Sequence, residues 1–137
     1  MIEPRDFEDQ ARGIVGTLPT EVKFRTGISR AYYAAFHYCN VAAKTWCNQL
    51  PNTEKKDKGI HEQLYCQLQK PSNLAVVDSS LRSMAELAKK LKFLRVDADY
   101  HLDKTISNKE YTSALSYMSN VKKELEEAQR LSTSTQS

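Results

Sequence analysis

The chain has 137 residues, 40% of them hydrophobic and 27% charged, and a formal net charge of +3. That length suits one domain with a real core and is short for two, and four glycines and four prolines are too few for a turn-rich all-β fold. The first residues, Met1 to Asp6, lack the shape of a signal peptide, and no apolar run reaches the length of a membrane span, so the sequence reads as cytoplasmic and without membrane contact. The mild basic excess is compatible with a phosphate-bearing partner. Cys39, Cys47 and Cys66 are odd in number and form no CxxC pair, which argues against a disulfide framework or a zinc cluster.

In chain order, Phe7, Ala11, Ile14 and Leu18 repeat at helical spacing and predict a short helix over 5–17, ended by Gly16 and Pro19. Thr20 is placed as the N-cap of a long helix reaching about Asn48, with Phe24, Ile28, Ala31, Ala35, Cys39, Ala42 and Trp46 on its inner face. Arg30, Tyr33 and His37 share another face of that helix. The segment from Leu50 to Gly59 is polar and aperiodic and reads as a loop. Ile60, Leu64 and Leu68 give a short helix to Gln69, and Asn73 is placed to cap the next.

That next helix carries the stripe Leu74, Val77, Leu81, Met84, Ala88, Leu91, Arg95, Ala98 and Leu102. Arg95 occupies a position the pattern reserves for an apolar side chain. A guanidinium cannot be neutralised, so it needs a partner, water or a ligand. Ser107 and Glu110 form a capping box that opens the last helix, with Tyr111, Leu115, Met118, Val121, Leu125 and Ala128 inward. The residues Ser132 to Ser137 read as a disordered, frayed tail. Three long amphipathic helices and two short ones predict an all-α fold, an antiparallel bundle forming one domain over residues 1–131.

Arg95 and His101 are the residues of chemical interest. Six positions along a straight helix correspond to roughly 600° of turn and about 9 Å of rise, so the two point about 120° apart. One rigid helix cannot close both on a single phosphate; an unwound turn near Asp97, or two chains, can. Asp99 lies at i+4 from Arg95, where a plain structural ion pair is the ordinary reading. Arg30, Tyr33 and His37 either line a polar groove or fix one helix against another. Lys89, Lys90 and Lys92 form a basic run that suits a phosphate backbone or simply a solvated face. The chain has no glycine-rich phosphate loop, HExxH or GxSxG motif, so an enzyme built on it is expected to need no metal or cofactor.

The stretch Ser29 to His37 (SRAYYAAFH) resembles the R-x-YYA-x-FH pattern of the HEPN superfamily, the nucleotide-binding domain of higher eukaryotes and prokaryotes. The stretch Leu94 to Tyr100 (LRVDADY) resembles the R-x-x-ADY pattern of its small stand-alone prokaryotic and phage members. The likeness extends over roughly residues 5 to 130. It implies a bundle of four to five helices, a homodimer, and a metal-independent endoribonuclease of the toxin or phage-defence kind. Arg95 and His101 match the family's spaced arginine and histidine, which two chains present in a shared cleft. His101 then acts as general acid or base on the ribose 2′-OH or the leaving oxygen, and Arg95 stabilises the phosphorane-like charge. Asp97, Asp99, Tyr100, Arg30, Tyr33 and His37 are the implied supporting residues. The implied partners are RNA, such as tRNA or mRNA, and an antitoxin or nucleotidyltransferase. Val96 stands where active relatives usually carry a polar residue. The alternative is a non-catalytic module that binds nucleotide, RNA or a partner nucleotidyltransferase.

Overall fold

In the computed structural model, which describes residues 2–13 and 19–136, α2 (Thr20–Trp46) is wrapped by the rest of the chain. Around it lie α1 (Pro4–Gly13), α4 (Ile60–Gln69), α5 (Asp78–Tyr100) and α6 (Asn108–Gln136). A single helical turn, α3 (Asn52–Lys55), and a 3₁₀ turn (Ala75–Val77) complete the described elements. The fold is an all-α bundle, and no described residue is in a strand. No described helix is long and apolar enough to cross a membrane.

The stripe expected on α2 is inside, with Ile28, Ala31, Ala35, Cys39, Ala42 and Trp46 buried and Phe24 packed against the core. Burial extends further round the helix than one stripe. Tyr32, Ala34, Phe36, Tyr38 and Ala43 are also buried. A central helix has neighbours on several sides, so its apolar surface is broad rather than a single seam. Its alanines, with Ala85 and Ala88 of α5 and Ala114 of α6, keep the contacts narrow and let the long backbones approach. Larger side chains such as Leu68, Leu81, Met84, Leu91 and Met118 fill what remains, each contributing about 1.5–3 kcal/mol of transfer free energy.

Several expected boundaries differ. Thr20 is the first residue of α2 rather than its cap. Pro19, with φ of −53° and no side-chain cap, precedes it, and the helix ends at Trp46. Ile14, Gly16 and Leu18 lie outside the described residues. The segment expected as a loop holds α3, steadied by an ion pair between Glu54 and Lys70. Ile60 is exposed, and Tyr65 takes the inward place beside Leu64 and Leu68. Asn73 caps nothing: its amide donates to the Trp46 carbonyl at 2.8 Å. Ser72 and Asp78 organise the entry to α5 instead, the Ser72 amide donating to Asp78 Oδ1 at 3.0 Å.

The stripe on α5 is buried from Leu81 to Leu91 and again at Ala98, but Leu102 lies beyond the helix end and is exposed. The capping box is formed: the Ser107 amide donates to Glu110 Oε2 at 2.8 Å. Behind it, Tyr111, Met118, Val121, Leu125 and Ala128 are buried, with Leu115 partly so. The α6 backbone stays helical to Gln136, where the serine and threonine content suggested fraying; Thr133 Oγ1 returns a hydrogen bond to the Gln129 carbonyl at 3.0 Å. Tyr111 Oη donates to the Ala11 carbonyl at 2.7 Å and ties α1 to α6.

Candidate functional site

Arg95 sits in a cage built by α2 and its own helix. Its Nε donates to Asp99 Oδ2 at 2.8 Å, and one terminal nitrogen donates to Tyr33 Oη at 3.2 Å and Tyr100 Oη at 3.3 Å. The guanidinium lies over the rings of Tyr32, Tyr33 and Tyr100, with its carbon 5.6, 5.6 and 5.3 Å from their centroids. Ser29 Oγ adds a donor to Asp99 at 3.2 Å. Burial works against the charge of Arg95, but the hydrogen bond to Asp99 and the tyrosine oxygens outweigh it and hold its pKa above the ordinary value. This is how the fold accommodates a cation on a buried stripe: Nε and one terminal nitrogen find acceptors, and rings pack against the guanidinium.

His101 is the residue at which α5 ends, with φ of −108° and ψ of 75°. Its Nδ1 is hydrogen-bonded to Asp97 Oδ1 at 2.6 Å, and Lys104 Nζ reaches the same oxygen at 3.1 Å. The hydrogen bonds from His101 and then Lys104 hold the Asp97 carboxyl below its ordinary range. Helix α5 therefore carries two interleaved pairs, Arg95–Asp99 toward α2 and His101–Asp97 toward α4. Within one chain Arg95 and His101 do not share a site.

The turn that carries His101 is held by Arg25, a residue the sequence pattern did not single out. Arg25 donates to the carbonyls of Asp97 at 3.1 Å, Ala98 at 3.0 Å and His101 at 3.3 Å, and also to that of Lys104. They are carbonyls of the last turn of α5 and of the turn after it, two of which, those of Asp97 and His101, also accept backbone amides, and a cation there also suits the helix dipole. Glu21 holds Arg25 in turn, at 3.1 Å, and accepts the Ile106 amide at 3.1 Å. The i, i+4 spacing of Glu21 and Arg25 was the available sequence signal, but backbone acceptors leave no mark in a sequence.

A groove of about 480 Å³ opens beside His101, between α4 and α5. Phe93, Val96 and Tyr65 give it apolar walls; Lys89, Lys92 and Lys104 give it positive charge; Glu62, Asp97 and His101 complete the lining. Phe93 is 73% exposed, with no ring or cation stacked on it among the described residues. Just behind, the Tyr32 hydroxyl is hydrogen-bonded to His61 Nδ1 and to the Tyr65 hydroxyl, the latter at 2.6 Å. Burial, with the charges of Lys92 and Arg95, lowers the His61 pKa. Tyr65 and His61 were not legible as a pair, because their link runs through Tyr32 on another helix.

The set Arg30, Tyr33 and His37 does not converge. Tyr33 serves the Arg95 cage, and His37 stacks on Phe7 at 5.0 Å with its pKa lowered by burial. Arg30 lines another pocket, with Thr26 and with Ser29 and Asp99 of the cage. Comparison with protein-family models, with curated proteins and with solved structures gives no match.

Proposed function

We propose that the chain is a metal-independent endoribonuclease, with His101 as the general acid or base and the α4–α5 groove as the seat of the RNA strand. The observation that carries this reading is the Asp97–His101 pair at 2.6 Å inside a lysine-lined groove. A carboxylate on Nδ1 fixes the ring and leaves the other nitrogen as the one to exchange a proton with a ribose 2′-OH. Lysines beside a bare aromatic ring suit a single strand, whose phosphates meet the cations while a base stacks on Phe93. The 2′-OH is the nucleophile, so the product is a 2′,3′-cyclic phosphate and DNA is spared.

Arg95 enters the chemistry only in a homodimer whose second copy brings its guanidinium to the groove. In the isolated chain Asp99 and the tyrosines hold it, so here it positions α5 against α2. That engagement, with the apolar Val96 in the groove, favours a second reading: a non-catalytic module that binds RNA or nucleotide in the same groove, on its own or for a partner nucleotidyltransferase or antitoxin.

The test is cleavage of tRNA and of a mixed-sequence RNA in EDTA by wild type and His101→Ala. Cyclic-phosphate products from wild type, reduced on the order of 10²–10⁴-fold in the variant, bear out the nuclease. Equal cleavage by both proteins removes His101 from the mechanism, and tight binding without any cleavage leaves the second reading standing.

A further inference from the structure

Glu62 is the unpaired carboxylate of the groove. Asp97, the other acid in the lining, is hydrogen-bonded to His101 and ion-paired with Lys104. Glu62 makes no hydrogen bond or ion pair among the described residues, although three lysines line the same groove. It projects from α4, whereas Phe93, Lys89 and Lys92 project from α5. Tyr65, three residues on along the same face of α4, lines the groove with it. The first turn of α4 is in itself a favourable place for a carboxylate, but that does not account for its presence in a groove suited to phosphates, where a free anion repels the backbone. Its place fits a nucleobase edge better.

Resting on the RNA reading above, we infer that the groove selects guanine: the base stacks on Phe93 and its Watson–Crick edge meets the Glu62 carboxylate. A carboxylate offers only acceptors. Guanine alone among the four bases presents two adjacent donors on that edge, N1–H and the N2 amino group, to match the two carboxylate oxygens. Adenine, cytosine and uracil each place an acceptor beside their donor. The bond is charge-assisted and bidentate, the kind of contact that discriminates strongly.

The experiment compares two uridine octamers with 2′-O-methyl riboses, one carrying a single central guanosine and the other inosine, which lacks only the N2 amino group. Dissociation constants are read by fluorescence anisotropy for wild type and Glu62→Ala, an exposed position whose truncation leaves the core intact. Wild type is expected to prefer guanosine over inosine by about tenfold, and Glu62→Ala to bind the two alike. Equal binding of both octamers by wild type, or a preference that survives in Glu62→Ala, overturns the guanine assignment while leaving RNA binding intact. Absence of binding to either octamer by wild type overturns the RNA reading and this inference together.

Discussion

Arg95–Asp99 and His101–Asp97 have the same i, i+4 spacing on the same helix and opposite surroundings. The Arg95 side chain is 14% exposed and roofed by three tyrosines; that of His101 is 46% exposed beside a groove. The first pair faces α2, the helix the bundle is built around, and the second lines the groove toward α4 at the end of α5. Spacing therefore says that two residues can meet, and their neighbours decide whether the meeting is structural or available to a ligand. An arginine paired with a carboxylate and packed against three rings stabilises packing. A histidine fixed through one nitrogen beside an open groove is poised to handle protons.

The largest effect that separates the two pairs is expected from Arg95→Ala. It leaves Asp99 partly buried without its cation and uncovers three rings, at a cost of roughly 2 kcal/mol. Thermal unfolding should fall by several degrees, whereas RNA cleavage measured well below the new midpoint should change little. An unchanged midpoint with cleavage abolished would reverse the comparison and place Arg95 at the reacting phosphate, as a composite dimer site requires.

Next in size is Asp97→Asn. The amide keeps the shape but not the charge that holds the His101 ring, so cleavage should drop by at least about tenfold while thermal stability stays close to wild type. Equal cleavage by the two proteins would mean that the pair is as structural as the one beside Arg95.

The smallest effect is a dependence on acid. Asp97 and Glu21 both titrate below their ordinary values, Asp97 through His101 and Lys104, Glu21 through the Ile106 amide and Arg25. A depressed carboxylate contributes stability that is complete above its unfolded value and is lost as pH falls through the folded one. Amide exchange at Ile106, corrected for its intrinsic pH dependence, should thus quicken as pH drops below about 4, sooner than at core amides of α2. Protection that is flat through that range would count against the Glu21 and Asp97 links.

Much of this was readable beforehand, for physical reasons. The α5 and α6 stripes follow from the helical period because each helix buries one main face. The capping box at Ser107 is local, so its signal lies within four residues. The divergence of Arg95 and His101 follows from helix geometry alone. What escaped is long-range. Arg25 binds carbonyls 72 to 79 residues away, and a carbonyl has no sequence identity. The broad burial of α2 blurred its period, so Tyr32 was not seen as the link between His61 and Tyr65. Ile60 and Leu102 continue their stripes by count, yet each stands at a helix end, where the stripe no longer faces the core.

The Arg25 clamp has a consequence for how the molecule comes apart. The His101 turn is fastened to the first turns of α2 by one guanidinium and one carboxylate, with little apolar burial of its own beyond Ile106. Segments held this way open as small cooperative units, at lower free energy than the global transition. Heat or denaturant would therefore release the His101 turn while the helices still stand. Under the nuclease proposal, cleavage would then fade below the bulk melting temperature, with the helices still formed.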